Sequence, residues 1–199
     1  PATGETPLST WEYELSAQTP PPHPERPDFA PWNGMFREAP ESISTRVTLL
    51  SFAYLVTGER KYAEAARSMV MSLVNWERWT DASYAGGQHQ AGMDTGLATK
   101  SVAIFYDWCQ QTLSDADRAA ISQALIDKGI VPIIAELERC MPGTEVYAAL
   151  VTGLVCGAIA LRPEEPRAGQ WLAQGIDALG QALDESGADG GVFAGPRLG

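Results

Sequence analysis

The chain has 199 residues, of which 45% are hydrophobic and 20% are charged, a balance typical of a globular domain with one sizeable core. Its 25 acidic and 14 basic residues give a formal net charge of −11, which repels polyanions, so we expect no nucleic-acid partner. No apolar run approaches the roughly 20 residues of a membrane span, and the first residues lack the pattern of a signal peptide, so we expect no membrane association.

Residues 1–40 are predicted to form an extended, proline-rich arm. This segment contains nine prolines, five of which lie between Pro20 and Pro27. Proline fixes φ and removes a backbone donor, so a regular helix is not expected there. Residues 41–199 are then the folded domain.

The first two predicted helices form a hairpin. Apolar residues from Ile43 to Tyr54 advance by 4, 3 and 4 positions, and Gly58 follows where a left-handed residue would end the helix. A second periodic run extends from Tyr62 to Trp76. Because the connection is short, the second helix should pack antiparallel to the first.

The third and fourth helices are predicted from periodicity and capping. Apolar residues recur at helical spacing over residues 98–113, with Asp94 or Thr95 as the expected N-cap. Ser114 and Asp117 have the spacing of a capping box and open the fourth helix. The glycine-rich stretch before Asp94 is expected to be a loop.

Gly129 and Pro132 should kink the fourth helix or end its first half, because proline cannot donate to the preceding turn. Helical spacing returns over residues 146–161, before Pro163, and again over residues 172–183. No segment shows the alternation of a strand. Six helices in three hairpins predict an all-α fold, an α/α solenoid or toroid and not a compact bundle.

The cysteines indicate neither a metal site nor a disulfide framework. Cys109, Cys140 and Cys156 are an odd number and lack CxxC spacing. We expect Cys109 and Cys156 to be buried and unpaired, and we expect the cysteines to form no metal site.

One long segment resembles a known family. Residues 93–132, MDTGLATKSVAIFYDWCQQTLSDADRAAISQALIDKGIVP, are similar to the helical N-terminal part of heparinase II/III-like polysaccharide lyases and their alginate-lyase relatives. Upstream, SFAYLVTGERKYAEAARSMV looks like the preceding hairpin of that family, and downstream GLVCGAIAL and DGGVFAGP fall where it has matching motifs. The resemblance spans Ser44 to Pro196.

The resemblance implies an (α/α) toroid, usually followed by a β-sandwich, that cleaves uronic-acid-containing polysaccharides by β-elimination. It implies a polysaccharide or oligosaccharide partner, no required cofactor, and a periplasmic or secreted location. With only six predicted helices, this chain corresponds to about half of such a toroid. Its open end should expose apolar surface or self-associate.

The family's polarising residue lies in an Asn-Asn-Trp or Asn-Asn-His motif shortly before a Gly-Leu. Counting back from residues 153 and 154 places Thr144 and Glu145 at that motif, so neither an amide nor an imidazole is present. In the loop that begins at Asp189, Leu198 stands where the family has its Tyr. These substitutions predict that the chain alone is inactive as a lyase.

Six residues are candidate substrate contacts, each with a structural alternative. His89 could transfer a proton or hold a carboxylate, or could be an exposed loop histidine. Aromatic rings near the loop could stack on sugars or could pack at the hairpin end. Asp94 could touch substrate or cap its helix. The full set is Trp79, Tyr84, His89, Asp94, Glu145 and Asp189.

Three functions remain open from the sequence. The first is a polysaccharide lyase represented here by part of its toroid. The second is a non-catalytic carbohydrate-binding or assembly module on the same helical scaffold. The third is a glycoside hydrolase on an α/α barrel, which needs two carboxylates that flank one bond; Asp94, Glu145 and Asp189 are the plausible donors.

Overall fold

A computed structural model of the protein describes residues 43–80 and 89–188, with side chains as far as residue 185. The predicted arm over residues 1–40 lies outside these ranges. The described part is helical and contains no strand, which confirms the predicted all-α class. Its α-helices are α1 (Ile43–Thr57), α2 (Arg60–Asn75), α3 (Met93–Cys109), α4 (Asp115–Ala124), α5 (Val131–Leu137), α6 (Glu145–Leu161) and α7 (Ala168–Ala188).

The first hairpin forms as the sequence predicts. Gly58 has a φ of 72°, a left-handed conformation that glycine adopts without steric cost. Its amide donates a 2.8 Å hydrogen bond to the carbonyl of Tyr54 and so closes the last turn of α1. The chain then reverses into α2, as the short connection predicted.

The prediction of Asp94 or Thr95 as the N-cap of α3 is wrong, because the cap is Gly92. The amide of Gly92 donates a 3.0 Å hydrogen bond to Oγ1 of Thr95, which lies three residues later. Asp94 is buried within the first turn. A carboxylate at this position interacts favourably with the positive end of the helix dipole.

The predicted cap of α4 is confirmed. The amide of Asp117 donates a 3.1 Å hydrogen bond to Oγ of Ser114. The carboxylate of Asp117 in turn accepts two hydrogen bonds from the guanidinium of Arg67, at 3.0 and 2.6 Å. Since Arg67 belongs to α2, this bidentate pair fixes α4 against the first hairpin.

The helix does not end at Gly129 and Pro132. It continues from α4 to α5 through a π-helical segment, Leu125–Ile130, so α4 and α5 form one long irregular helix. Pro132 lacks an amide hydrogen and crowds the preceding turn, and a widened turn relieves that conflict. Gly129 lies against α3, where an added Cβ atom would be 2.9 Å from Cγ2 of Thr99.

Helices α1, α3 and α6 lie side by side and run in the same direction. Near their N-terminal ends, Oγ of Ser44 donates to the carbonyl of Leu97, and Gly96 of α3 lies directly against the backbone of α6. Near the C-terminal end of α3, the hydroxyl of Tyr106 donates a 2.6 Å hydrogen bond to Glu164, which lies just after α6. Helix α2 packs on α1, and α7 packs on α6. That these hairpins form part of an (α/α) toroid stays a prediction.

The core lies between these helices, and the outer faces of α1 and α7 remain apolar. Both helices carry large hydrophobic side chains that are 40 to 67% exposed. No helix in residues 43–80 and 89–188 is long and apolar enough to cross a membrane. The fully buried core side chains include Trp79, Tyr106, Phe105, Ile43, Leu50, Met69, Leu73, Ile121 and Leu125.

The cysteines are unpaired, as predicted. Cys109 is buried, which confirms its predicted position in the core. The predicted burial of Cys156 is wrong, because that residue is only partly buried. It lies on α6, where the side chains of residues 152 and 159 are exposed.

Candidate functional site

A polar cleft lies where the end of α2, the segment before α3 and the π-helical segment meet. Its volume is about 220 Å³, below the roughly 300 Å³ at which pockets for drug-sized molecules begin. Two acidic and two basic side chains line it, so its local charge is balanced despite the net charge of the chain. The lining residues are Glu77, Arg78, Thr80, His89, Gln90, Asp127, Lys128 and Pro132.

His89 lies at this cleft and is held by a buried carboxylate. Its Nδ1 atom is 2.7 Å from Oε1 of Glu136, with the His89 side chain 47% exposed and that of Glu136 only 4% exposed. The amide of Gln90 donates a 2.8 Å hydrogen bond to Oε2 of the same carboxylate. A buried carboxylate with two occupied oxygens fixes the position of the imidazole.

The environment of Glu136 keeps its carboxyl group ionised. Burial by itself raises the pKa of this group, but hydrogen bonds from His89 and from the amides of Gln90 and Ala91 outweigh burial, so the pKa is below its usual value of 4.5. An ionised carboxylate can only accept hydrogen bonds, so Nδ1 of His89 carries the hydrogen. In the neutral ring, Nε2 is then the basic atom.

Lys128 connects the cleft to the end of α2. Its Nζ atom donates a 2.6 Å hydrogen bond to the carbonyl of Val74 and a second, shorter one to that of Trp76. The last carbonyls of a helix lack intrahelical partners, and an ammonium group both satisfies them and complements the helix dipole. Burial lowers the pKa of Lys128, an effect that the nearby Asp127 opposes. Its main role is structural.

A buried hydroxyl pair positions the chain on both sides of the cleft. Oγ1 of Thr80 is 2.9 Å from Oγ1 of Thr95 and donates a 3.0 Å hydrogen bond to the carbonyl of Gln90. Oγ1 of Thr95 also contacts the carbonyl of Trp79 at 3.1 Å. These bonds tie the segments on either side of residues 81–88 to the start of α3.

Trp79 cannot stack on a sugar in this structure. Its ring is completely buried, and Nε1 donates a 2.9 Å hydrogen bond to the carbonyl of Leu73. The alternative that the sequence left open, packing at the end of the hairpin, describes its position. We therefore remove Trp79 from the candidate substrate contacts.

The two residues at the family's polarising motif form the start of α6. Thr144 is the N-cap: its Oγ1 accepts a 3.1 Å hydrogen bond from the amide of Tyr147 and donates one of 3.1 Å to the carbonyl of Met141. Glu145 is exposed at the first helical position. A carboxylate there complements the helix dipole, so both residues have structural roles.

Of the other candidates, Asp94 is buried in the first turn of α3, close in sequence to the Thr95 network. Tyr84, Asp189 and Leu198 lie outside the described residues. Of the predicted contacts within the described residues, His89 alone lies on the lining of the cleft.

Sequence reasoning missed Glu136, the residue that orients His89. The signal was a single carboxylate in the otherwise apolar helix VPIIAEL, since an acidic residue in such a run is rarely buried unless it is hydrogen-bonded. Its partner lies 47 positions away in sequence, so only the fold shows the pair.

In the part of the chain that the structure describes, no group of three or more His, Cys, Asp or Glu residues is arranged to hold a metal ion. The expectation that the protein needs no metal or cofactor stays a prediction. Comparison with models of known protein families and with curated proteins found no match. The resemblance to heparinase II/III-like lyases therefore rests on the quoted sequence motifs.

Proposed function

We propose that the chain is the helical, saccharide-binding part of a protein of the heparinase II/III-like lyase type, and that a uronic-acid-containing oligosaccharide binds beside His89. The observation that carries the proposal is the half-exposed imidazole, which the buried carboxylate of Glu136 holds at a polar cleft. Such a ring can donate to a substrate carboxylate when protonated or accept a proton when neutral.

β-Elimination from a uronate requires a base that removes the C5 proton. The electron pair then forms the C4=C5 double bond, and the bond from C4 to the departing O4 breaks, with O4 taking a proton. His89 has the tautomer and exposure suited to proton transfer. The substrate carboxylate must also be polarised, and Thr144 and Glu145 supply no donor for this because one caps α6 and the other is an exposed acid.

Binding without turnover is therefore the activity that we propose for the chain by itself. The lining of the cleft is balanced in charge, with Arg78 and Lys128 offset by Glu77 and Asp127. Of the two cations, Lys128 already donates to helix carbonyls. We expect weak binding, with acidic saccharides preferred over neutral ones when His89 is protonated.

Binding can be tested by isothermal titration calorimetry with an oligoglucuronate and, as control ligand, a neutral gluco-oligosaccharide of equal length. We expect His89→Gln to weaken oligoglucuronate binding about 5- to 30-fold, the effect of losing one hydrogen bond to a charged group, about 1 to 2 kcal/mol. Gln174→Ala, at an exposed position on α7, is the control and should leave binding unchanged. Equal binding by wild type and His89→Gln would contradict the proposal.

A second candidate is a non-catalytic assembly module, which is favoured by the exposed apolar faces of α1 and α7. Saccharide binding and assembly use different surfaces and can be tested separately. For the glycoside hydrolase, of the three proposed acids Asp94 is buried and Glu145 is exposed on the surface, and no observation favours this function.

A further inference from the structure

His89 lies among charged groups from three elements of the fold. The segment after α2 and the π-helical segment each place one acid and one base on the cleft, namely Glu77, Arg78, Asp127 and Lys128. Helix α5 adds the buried carboxylate of Glu136, which contacts the ring itself. The start of α3 carries Asp94, which is buried and does not line the cleft. A ligand carboxylate that enters this balanced lining therefore needs a further positive charge to bind well.

Lys128 is poorly placed to supply that charge. Its ammonium group donates hydrogen bonds to the carbonyls of Val74 and Trp76, and turning it toward a ligand would cost these helix carbonyls their donor. Arg78 stays charged at every pH at which the protein is folded, so it supports binding without making binding depend on pH. The remaining source of positive charge on the described lining is protonated His89.

Protonation places the new charge at the accessible side of the ring. Nδ1 of His89 is 2.7 Å from Oε1 of Glu136, so the added hydrogen goes to Nε2, on a side chain that is 47% exposed. The buried carboxylate of Glu136 favours the charged ring, because an opposite charge in contact stabilises it. A uronate carboxylate stays ionised above about pH 5, whereas an imidazole changes its charge between about pH 5 and 8.

We infer that the binding of an acidic saccharide at this cleft is coupled to the protonation of His89, with Glu136 as the positioning residue that favours the protonated ring. The inference rests on the proposed function and adds regulation by pH to it. A ligand that binds the protonated ring more tightly draws protons from solution as it binds. The affinity is therefore highest where the free ring is protonated and falls as the pH rises.

Isothermal titration calorimetry with an oligoglucuronate at pH 6, 7 and 8 tests this coupling. The wild-type affinity should fall about 5- to 30-fold from pH 6 to pH 8, toward that of His89→Gln. At pH 7.5, enthalpies measured in phosphate and in Tris should differ by the ionisation heat of roughly half a proton per bound oligosaccharide. His89→Gln should bind equally at the three pH values and take up no proton. Gln174→Ala, at an exposed position on α7, is the control and should behave like the wild type.

Glu136→Gln tests the role of the buried carboxylate. The amide keeps an acceptor for Nδ1 but removes the negative charge, so the loss of affinity should occur at a lower pH than in the wild type. A purely structural role would weaken binding equally at every pH, and circular dichroism verifies that the variant is folded. If Glu136→Gln does not fold, the comparison of the wild type with His89→Gln still decides whether binding is coupled to protonation.

The outcomes separate this inference from the proposed function. Oligoglucuronate binding that depends on His89 but is equal at pH 6 and pH 8 would overturn the inference and leave the proposed function intact. Proton uptake that persists in His89→Gln would assign it to another group, such as Lys128, and would also overturn the inference. An absence of binding at every pH would overturn both.

Discussion

Replacement of Gly96 by alanine tests the close packing of α3 on α6. A Cβ atom at this position would lie 2.5 Å from the carbonyl carbon of Ala149 and 2.8 Å from the amide nitrogen of Leu150. Both neighbours are backbone atoms of α6 and cannot move aside as a flexible side chain can. Ordinary contact would require α3 and α6 to separate by about 1 Å, which forfeits a quarter to a half of the dispersion energy between facing atoms.

The expected cost is at the upper end of that for overpacking, about 3 kcal/mol, reduced by about 1 kcal/mol because alanine favours the helix. Gly96→Ala should therefore lower the free energy of unfolding by about 2 kcal/mol. For a domain of this size that corresponds to a fall in Tm of about 4 to 8 °C. Thermal melts followed by circular dichroism measure this change directly.

Gly180→Ala is the matched control. Gly180 is also within a helix, but an added Cβ atom would meet nothing within 4 Å, so only the gain in helix propensity applies. Its Tm should rise, by an amount corresponding to about 0.5 to 1 kcal/mol. A Gly96→Ala variant as stable as Gly180→Ala would refute the close packing of α3 on α6.

Three further predictions concern titration, reactivity and catalysis. The hydrogen bonds from Arg67 lower the pKa of Asp117 below 3.8, so the stabilisation by this ion pair is present above about pH 3.8 and is lost as the pH falls through the lowered pKa. Asp117→Asn should therefore lower the free energy of unfolding by about 1 kcal/mol in urea melts at pH 7 and by less near pH 2. An equal loss at both pH values would contradict this. Burial raises the pKa of Cys109 from 9.0 to about 11. At pH 8 a thiol reagent should therefore label Cys109 about 100-fold more slowly than in the urea-unfolded chain. Equal labelling rates would place Cys109 outside the core. The chain alone should form no unsaturated product from glucuronan, alginate, heparin or heparan sulfate, because position 145 lacks a polarising group. The product is measured by the absorbance of the new C4=C5 bond. Steady product formation would show that Glu145 is not at the polarising position.

The sequence by itself determined where the helices lie and several of their ends. The spacing of apolar residues in α1 and α2, the glycine at position 58 and the Ser114 cap each act within a few residues, so local chemistry is sufficient to predict them. The predicted cap of α3 was wrong because Thr95 accepts a hydrogen bond from a residue three positions earlier. The π-helical segment was not predicted, because a helix can also accommodate a proline by kinking or ending, and the local sequence does not select among these outcomes.

The candidate site could be identified only from the tertiary structure. His89 was a candidate because it is one of two histidines in the chain, but its significance comes from Glu136, which only the packing of α5 brings within 2.7 Å. Trp79, by contrast, was a candidate that the structure removed, because its ring is buried. An aromatic residue beside a loop has the same sequence signal whether its ring is exposed or buried. Burial and contacts between distant residues arise from how helices pack, and helical periodicity identifies a buried face without identifying the partner that covers it.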